Sequence, residues 1–249
     1  MELVIFILVS LGFLYLTVRR GSLSVDGALA TGLLAGVVVS TAGPAWLLPL
    51  FVFFLSSVLI GRLLPVADDA GDAKDRQPRD AVQVLCNGGV YGLVALLGGD
   101  PVLLLVTMAV ATADTWGSEI GKYIRQPTYD ILRGRRVPAG LSGGVSAAGT
   151  LGAGAGAVLA AGCGPFLLDA YPLMTALAVS SFGFAGMLLD SVLGAALQAR
   201  YRGADGRPTD RARPGAPLIG GYRWMTNDLV NVVSIAATTA LAWWWLTMR

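Results

Sequence analysis

Three carboxylates lie inside long apolar segments of this 249-residue chain, at Asp114, Glu119 and Asp190. If the segments are helices, a rise of about 1.5 Å per residue places these residues roughly 13, 6 and 15 Å from the nearer polar end of each segment. An ionised side chain at the centre of a membrane helix costs about 2.5 to 3.5 kcal/mol on insertion scales. Three such residues therefore predict a shared, partly hydrated cavity or a metal site.

Three asparagines extend this polar set onto other helices. By the same rise per residue, Asn87 lies about 9 Å inside the segment that begins at Ala81, and Asn227 and Asn231 lie about 6 and 12 Å inside the segment that follows Arg223. Asn227 and Asn231 share a helical face because they are four residues apart. Four predicted helices thus place carboxylate or amide groups at a similar depth.

The side-chain types of this set indicate a hard cation. The chain contains no histidine, and carboxylate and amide oxygens are the donors that Mg²⁺ prefers. Asp114 and Glu119 point about 140° apart on a regular helix. Both would reach one ion only if the helix unwinds near Gly117, as broken helices do at membrane binding sites; otherwise they serve separate functions. We favour the unwound helix.

A phosphate group is the second ligand that the sequence predicts. The segment Gly140–Ser146 is a glycine-rich turn that leads into a helix, where free backbone N–H groups and the helix dipole favour anions. The chain has neither a G-x-x-x-x-G-K-[ST] motif nor a G-x-G-x-x-G motif, so any nucleotide would bind on the membrane domain itself. The basic residues near the polar layer are Lys74, Arg76, Lys122, Arg135, Arg136 and Arg223.

The apolar pattern predicts an all-α, polytopic membrane bundle that forms one domain over residues 1–249. Apolar residues make up 55% of the chain and charged residues 14%, and a helix of about 20 apolar residues crosses the roughly 30 Å hydrocarbon core. Some helices are expected to be broken near the site. The eight predicted helices cover residues 3–18, 24–41, 45–64, 81–98, 102–123, 141–162, 168–199 and 226–246.

The distribution of cationic residues predicts the orientation. Seventeen of the eighteen Lys and Arg residues fall in alternate loops, which the positive-inside rule places in the cytoplasm, with both termini outside. We expect the main cytoplasmic loops at residues 65–80, 124–140 and 200–225, and the protein in the plasma (inner) membrane. The Gly- and Pro-rich segment 201–222 predicts a mobile lid or a disordered connector without secondary structure.

Five motifs resemble those of one membrane-protein family. Their order and spacing, between about Leu23 and Ser234, are similar to those of the integral-membrane family, of transmembrane protein nineteen-like type, that includes plant phytyl-phosphate kinase. Cys86 and Leu141 depart from the family pattern, and neither is expected to be catalytic. The motifs are Asp80–Gly89, preceded by Lys74 and Asp75; Ala113–Gly121; Gly140–Ser146; Gly183–Ser191, followed by Gly194 and Gln198; and Thr226–Asn231.

The resemblance implies phosphoryl transfer from a nucleoside triphosphate, with CTP as a candidate, to an isoprenyl monophosphate of the phytyl or geranylgeranyl type. Mg²⁺ or another divalent cation would be the cofactor, the nucleotide would be the co-substrate, and a groove between helices would hold the isoprenoid tail among the membrane lipids. Asp114, Glu119 and Asp190 would bind the metal and act in catalysis. The implied phosphate- and substrate-binding residues are Lys74, Asn87, Lys122, Arg136, Ser142, Gly143, Gly144, Gln198, Asn227 and Asn231.

Other classes of function remain open from the residues themselves. A transporter or flippase for lipids or ions would also use intramembrane carboxylates and glycine-broken helices, although the outer halves of the predicted helices carry almost no charge. A CTP-dependent cytidylyltransferase acting on a lipid phosphate would need the same metal, nucleotide and lipid groove. A non-catalytic assembly protein would leave the buried carboxylates without a role. No nucleic-acid partner is expected.

Overall fold

Eight α-helices make up most of the described chain. The computed structural model describes residues 2–64, 77–124, 126–203 and 205–248, with side chains from residue 8 onward. The expected all-α polytopic bundle is confirmed. The helices are α1 (Glu2–Arg19), α2 (Val25–Thr41), α3 (Leu48–Leu63), α4 (Ala81–Leu96), α5 (Pro101–Ile124), α6 (Ala147–Ala161), α7 (Leu173–Leu197) and α8 (Asn227–Thr247).

Five helical segments have the length expected of membrane spans, and the bundle has an apolar outer surface. Large apolar side chains such as Leu33, Leu151 and Leu173 are exposed on the outside of the bundle, where a soluble protein would carry polar groups. The backbone polar groups of a helix are satisfied within the helix, which suits it to lipid. The segments long and apolar enough to cross a membrane are Pro44–Leu63, Pro101–Ile124, Ala147–Phe166, Leu173–Leu197 and Asn227–Thr247, and shorter apolar helices cover Leu8–Arg19, Val25–Thr41 and Ala81–Leu96.

Helix α5 lies at the centre of the bundle. Its residues 103–113 are all buried, and it contacts α3, α4, α6, α7 and α8. Glycines let α6 approach it closely: a Cβ added at Gly149 would lie 2.9 Å from the carbonyl oxygen of Gly117, and one at Gly156 would lie 2.8 Å from that of Thr112. Small residues are expected here because close packing drives helix association in a membrane.

The predicted unwinding of α5 near Gly117 is wrong. The helix is continuous from Pro101 to Ile124, so Asp114 and Glu119 point in different directions. Gly117 serves the packing of α5 on α6 instead, since a Cβ at this position would lie 3.1 Å from the Cβ of Ala153.

Two other helices begin later than the apolar pattern predicted. Helix α6 starts at Ala147 instead of residue 141, because the preceding residues form a turn and a short strand and the hydroxyl of Ser146 caps the helix by accepting a hydrogen bond from the backbone N–H of Gly149 at 3.2 Å. Helix α7 starts at Leu173 instead of residue 168, directly after Pro172. Proline is disfavoured inside a helix but tolerated at its beginning.

Short antiparallel strands organise the two longest described loops. The first sheet, in the order β2-β1-β3, contains β1 (Thr128–Asp130), β2 (Arg136–Val137) and β3 (Gly144–Val145). The second, in the order β5-β4-β6, contains β4 (Arg200–Arg202), β5 (Pro208–Thr209) and β6 (Leu218–Gly220). The expectation that residues 201–222 lack secondary structure is therefore wrong: glycines with positive φ, such as Gly206 at 78°, form turns that let the strands pair.

The packing of α6 on α5 can be tested with two glycines of the same helix. Gly156→Ala should lower the thermal denaturation temperature in detergent, because the new methyl group would meet the backbone of Thr112, which cannot rotate away. Gly154→Ala is the matched control: its nearest neighbour is a Phe184 ring carbon at 4.0 Å. It should be neutral or stabilising, since alanine is favoured over glycine in a helix by about 1 kcal/mol. Equal effects of the two substitutions would contradict this packing.

Candidate functional site

Two adjoining polar cavities lie at the end of the bundle that carries the two sheets. The small one lies among α5, α6, α7 and the start of α8, and the large one lies among α3, α4, α5 and α8. The small polar cavity has a volume of about 120 Å³, and the large polar cavity has a volume of about 640 Å³. They are continuous because six residues line both of them. These shared residues are Asp114, Ser118, Lys122, Gly140, Asp210 and Asn227.

Asp190 anchors the small polar cavity from α7. Its side chain is buried, and its Oδ2 accepts a hydrogen bond from the Ser234 hydroxyl of α8 at 3.0 Å. In the amide orientation that satisfies its neighbours, Asn231 Nδ2 also donates to Asp190 Oδ2 at 3.2 Å and to the carbonyl oxygen of Asn227 at 3.0 Å. The α8 residues therefore hold the Asp190 carboxylate in one position.

Asp114 faces the same small cavity from α5. Its carboxylate is close enough to that of Asp190 for the two negative charges to repel each other, and Lys122, about two turns further along α5 and in the wall of both cavities, attracts it. Two carboxylates facing one small cavity within a membrane bundle call for a cation or a shared proton between them.

Glu119 does not join this pair. It lines the large polar cavity, whereas Asp190 lines only the small one; of the three predicted carboxylates, Asp114 is the one that lines both. Over the described ranges, no group of three Asp, Glu, Cys or His side chains is placed to hold one metal ion. The continuous helix explains this separation, since it directs Asp114 and Glu119 toward different parts of the cavities.

The glycine-rich turn that precedes α6 forms one wall of the small polar cavity. The backbone N–H of Ser142 donates to Asp210 Oδ2 at 2.7 Å, and the Ser142 hydroxyl donates to Gln198 Oε1 at 2.7 Å. Gly143 has a φ of +76°, and a Cβ there would collide with the backbone of Ala195. The turn thus donates one backbone N–H to a carboxylate oxygen, and binding of an external anion there stays a prediction.

The remaining candidate residues are more scattered. Asn87 lines the large polar cavity, and its Nδ2 donates to the carbonyl oxygen of Gln83 at 2.9 Å. Arg136 is exposed on β2 and lines neither cavity. Lys74 lies outside the described residues. Tyr91, which shares the helical stripe of Asn87, is fully buried and its hydroxyl donates to the carbonyl oxygen of Trp46, so its role is structural.

Two residues of the candidate site were not found by sequence reasoning. Arg79 lines the large polar cavity and lies over the Phe53 ring, at 5.7 Å from its centroid. Burial lowers the pKa of its guanidinium from the ordinary value, and the negative charge of Glu119 opposes that shift. Asp210 contacts the glycine-rich turn from the second loop. Both residues lie in loops, where no helical period indicates which side chains face the site.

An ion pair joins the two sheets beside the small polar cavity. Asp130 at the end of β1 is buried, and its Oδ2 contacts Arg200 of β4 at 3.0 Å and Arg133 at 3.1 Å. Arg200 also donates to the carbonyl oxygen of Ser142 at 2.8 Å. Although burial raises the pKa of Asp130, hydrogen bonds from Arg200 and from the Arg133 and Leu132 backbone outweigh it and lower the pKa below its ordinary value.

Comparison with known proteins identifies the family. The chain matches the model of integral membrane protein DUF92 over residues 8–239 and belongs to this family. It is thus a multi-pass integral membrane protein, as expected from the motifs, although the match does not carry the transmembrane protein nineteen-like description. No solved structure gives a significant match.

Three curated relatives show the breadth of the similarity. Protein PGR of Arabidopsis thaliana is 28% identical, covering 96% of this chain and 94% of its own length. The chloroplastic protein VTE6 of the same plant is 26% identical, covering 92% of this chain and 68% of its own length. An uncharacterized membrane protein of Methanocaldococcus jannaschii is 26% identical, covering 70% of this chain and 74% of its own length. The similarity to the two plant proteins spans nearly all of this chain and therefore includes the segments that build the cavities.

The ion pair between the sheets can be tested by pH. Because the folded-state pKa of Asp130 is below its ordinary value, its stabilisation is present above the unfolded-state pKa of about 3.9 and is lost as the pH falls through the folded value. Asp130→Asn should therefore denature at a lower temperature than the wild type at neutral pH, by roughly 2 to 4 °C per kcal/mol lost in a chain of this size. The difference should shrink at acid pH. Asp205→Asn, which removes an exposed carboxylate 3.9 Å from Arg207, is the control and should behave as wild type. A pH-independent effect of Asp130→Asn would contradict the assignment.

Proposed function

We propose that this protein is a membrane-embedded phosphotransferase that converts an isoprenyl monophosphate to the diphosphate with a nucleoside triphosphate and Mg²⁺. The observation that carries the proposal is the small polar cavity, where Asp114 and Asp190 lie opposite a glycine-rich, anion-accepting turn, with Lys122 in the wall. Motif similarity to the family that includes plant phytyl-phosphate kinase supports the choice of substrate.

The donor set fits Mg²⁺. The small polar cavity is lined by three carboxylates, Asp114, Asp190 and Asp210, and by the amide of Asn227. Such oxygen donors suit Mg²⁺, which usually keeps several waters and binds substrate phosphates. We assign Asp114 and Asp190 as ligands of the metal. Glu119 would contact the phosphates from the large polar cavity, through water or a second cation. Bound Mg²⁺ would neutralise charge on the transferring phosphoryl group.

The remaining residues position anions. Lys122 lines both cavities, so its ammonium group can attract phosphate oxygens in either of them. The backbone N–H of Ser142, in the Gly140–Ser146 turn, would bind phosphate in place of the Asp210 carboxylate. Gln198 fixes the turn by accepting a hydrogen bond from the Ser142 hydroxyl. Asn87 would orient a phosphate from the opposite wall, in the large cavity.

The reaction suits this set of side chains. A monophosphate acceptor is already anionic at neutral pH, so the site needs positioned cations more than a strong general base. The absence of histidine from the chain is therefore compatible with catalysis. We propose that the cavities open toward the cytoplasm, where the positive-inside rule places the basic loops and where nucleoside triphosphates, CTP among them, are available.

A transporter is the main alternative from another class. Transport requires a polar path across the whole bundle, but the half of α5 away from the cavities, residues 103–113, is buried among apolar side chains. The described residues of that half form a packed cluster that includes Leu105, Met108 and Val179. This packing favours an enzyme with a site at one end of the bundle.

The carboxylate pair can be tested with purified protein in detergent. With Mg²⁺, a nucleoside triphosphate and geranylgeranyl monophosphate, the wild type should release the diphosphate, identified by product mass. Asp114→Asn and Asp190→Asn should each lower the turnover number by roughly 100-fold or more, since each removes a ligand for the charge-neutralising metal. Thermal stability should stay close to that of the wild type, because the substitution removes a buried charge.

Asp169→Asn is the matched control, since Asp169 is exposed and lines neither polar cavity. Its turnover should equal that of the wild type. Near-native turnover of both cavity variants would assign a structural role to the carboxylates. A product that carries a nucleoside monophosphate would identify a cytidylyltransferase, and movement of lipid or ions in sealed vesicles without any product would identify a transporter.

A further inference from the structure

A separate apolar cavity of about 390 Å³ opens among α1, α2, α3 and α4. Its walls are mostly aliphatic and aromatic, with a few hydroxyl side chains, and its one charged residue and its two amide side chains lie at one end. That end is formed by Arg79, Gln83 and Asn87. Representative wall residues are Phe13 and Leu14 of α1, Leu34 and Gly36 of α2, and Phe51 and Phe54 of α3.

The polar end joins this cavity to the candidate site. Arg79, Gln83, Asn87 and Phe53 line both the apolar cavity and the large polar cavity. A molecule with an apolar chain and an anionic head could therefore occupy both, with its head at these four residues. A free nucleotide has no apolar chain that could fill the apolar cavity.

Arg79 is the cation at this junction. Its guanidinium carbon lies 5.7 Å from the ring centroid of Phe53 and 6.0 Å from that of Phe54, so its positive charge is placed over two aromatic rings. Within the described ranges its guanidinium donates no hydrogen bond, and the carboxylate that acts on its charge is Glu119. The N–H donors of the guanidinium are thus available to an anion, and a guanidinium binds phosphate through two parallel hydrogen bonds.

The backbone of Arg79 is fixed independently of its side chain. Its N–H donates to the carbonyl oxygen of Ser22 at 3.2 Å, and its carbonyl oxygen accepts from the N–H of Ser24 at 3.1 Å. The glycine at position 27 is required here, because a Cβ there would collide with the Arg79 carbonyl oxygen. The turn between α1 and α2 and the start of α4 therefore hold the Arg79 backbone at the mouth of the apolar cavity before any ligand binds.

We propose that Arg79 binds the phosphate of the lipid acceptor and that the apolar cavity among α1–α4 holds the adjoining part of its isoprenoid tail. This inference rests on the proposed function for the identity of the acceptor. It places the acceptor phosphate at the wall shared by the two cavities, with Asn87 beside it and Asp114 and Lys122 further along the large polar cavity. The nucleotide would then approach from the glycine-rich turn, on the other side of α5.

The role of Arg79 can be measured with Arg79→Gln and Arg79→Lys. Both variants should fold, since the contacts that hold this loop are made by the backbone. Arg79→Gln should raise the KM for geranylgeranyl monophosphate by roughly 10- to 100-fold, the range expected for losing charge-assisted hydrogen bonds. The KM for the nucleoside triphosphate should stay unchanged. Arg79→Lys keeps the charge but loses the pair of parallel N–H donors. Its KM for geranylgeranyl monophosphate should lie between those of the wild type and Arg79→Gln.

The tail cavity can be tested with a glycine that has room for a larger side chain. Gly36 lines the apolar cavity, and a Cβ there would have no neighbour within 4 Å. Gly36→Phe should raise the KM for geranylgeranyl monophosphate by about tenfold or more, because the ring excludes apolar chain atoms from the cavity. The KM for dimethylallyl monophosphate, whose tail is short, should stay unchanged. Gly12→Phe is the matched control on α1: Gly12 also has no neighbour within 4 Å but does not line the cavity.

A binding measurement separates this inference from the proposed reaction. If the purified wild type retains tritiated geranylgeranyl monophosphate but forms no diphosphate, the kinase proposal fails; weaker retention by Arg79→Gln and Gly36→Phe would still support the lipid site. Retention unchanged in both variants, or absent from the wild type, would overturn the lipid site. Equal KM changes in Gly36→Phe and Gly12→Phe for both chain lengths would overturn the tail assignment.

Discussion

The cost of placing charge inside a membrane bundle determines how this protein is built. A carboxylate such as Asp190 can remain there only if the protein supplies donors or cations for it. Ser234 and Asn231 of α8 donate to Asp190, and Lys122 attracts Asp114. The helices that provide these partners must therefore meet around α5, and glycines such as Gly149 and Gly156 permit that approach. The polar cavities occupy the space that remains among these helices.

The loops complete the site because an ion pair locks them together. Asp130 and Arg200 connect the first sheet to the second, and Arg200 reaches the Ser142 carbonyl oxygen of the glycine-rich turn. Asp210 then places a carboxylate on the Ser142 N–H. The wall of the small polar cavity thus depends on residues from two loops that are far apart in sequence. A substitution in either loop would therefore alter the cavity wall that faces the carboxylates of α5 and α7.

Sequence reasoning succeeded where a simple physical period applies. The helices follow from apolar length, and counting along the helical rise selected Asn87, Asp114, Asp190 and Asn227, all of which line one or both of the polar cavities. It failed where packing decided the outcome: α5 stays helical at Gly117 because that glycine contacts α6, and Glu119 consequently faces away from Asp190. The sheets and Arg79 depend on pairing between distant loop segments, for which the sequence offers no period to count.

The central claim is that phosphate is handled in the small polar cavity, beside Asp114 and Asp190. It is tested most directly by a cryo-electron microscopy structure of the purified protein with Mg²⁺ and a non-hydrolysable nucleoside triphosphate. The account predicts density for the terminal phosphates between the glycine-rich turn at Ser142 and the two carboxylates, with the Asp210 carboxylate displaced from the Ser142 N–H. Nucleotide density elsewhere on the protein, with this cavity unchanged, would contradict it.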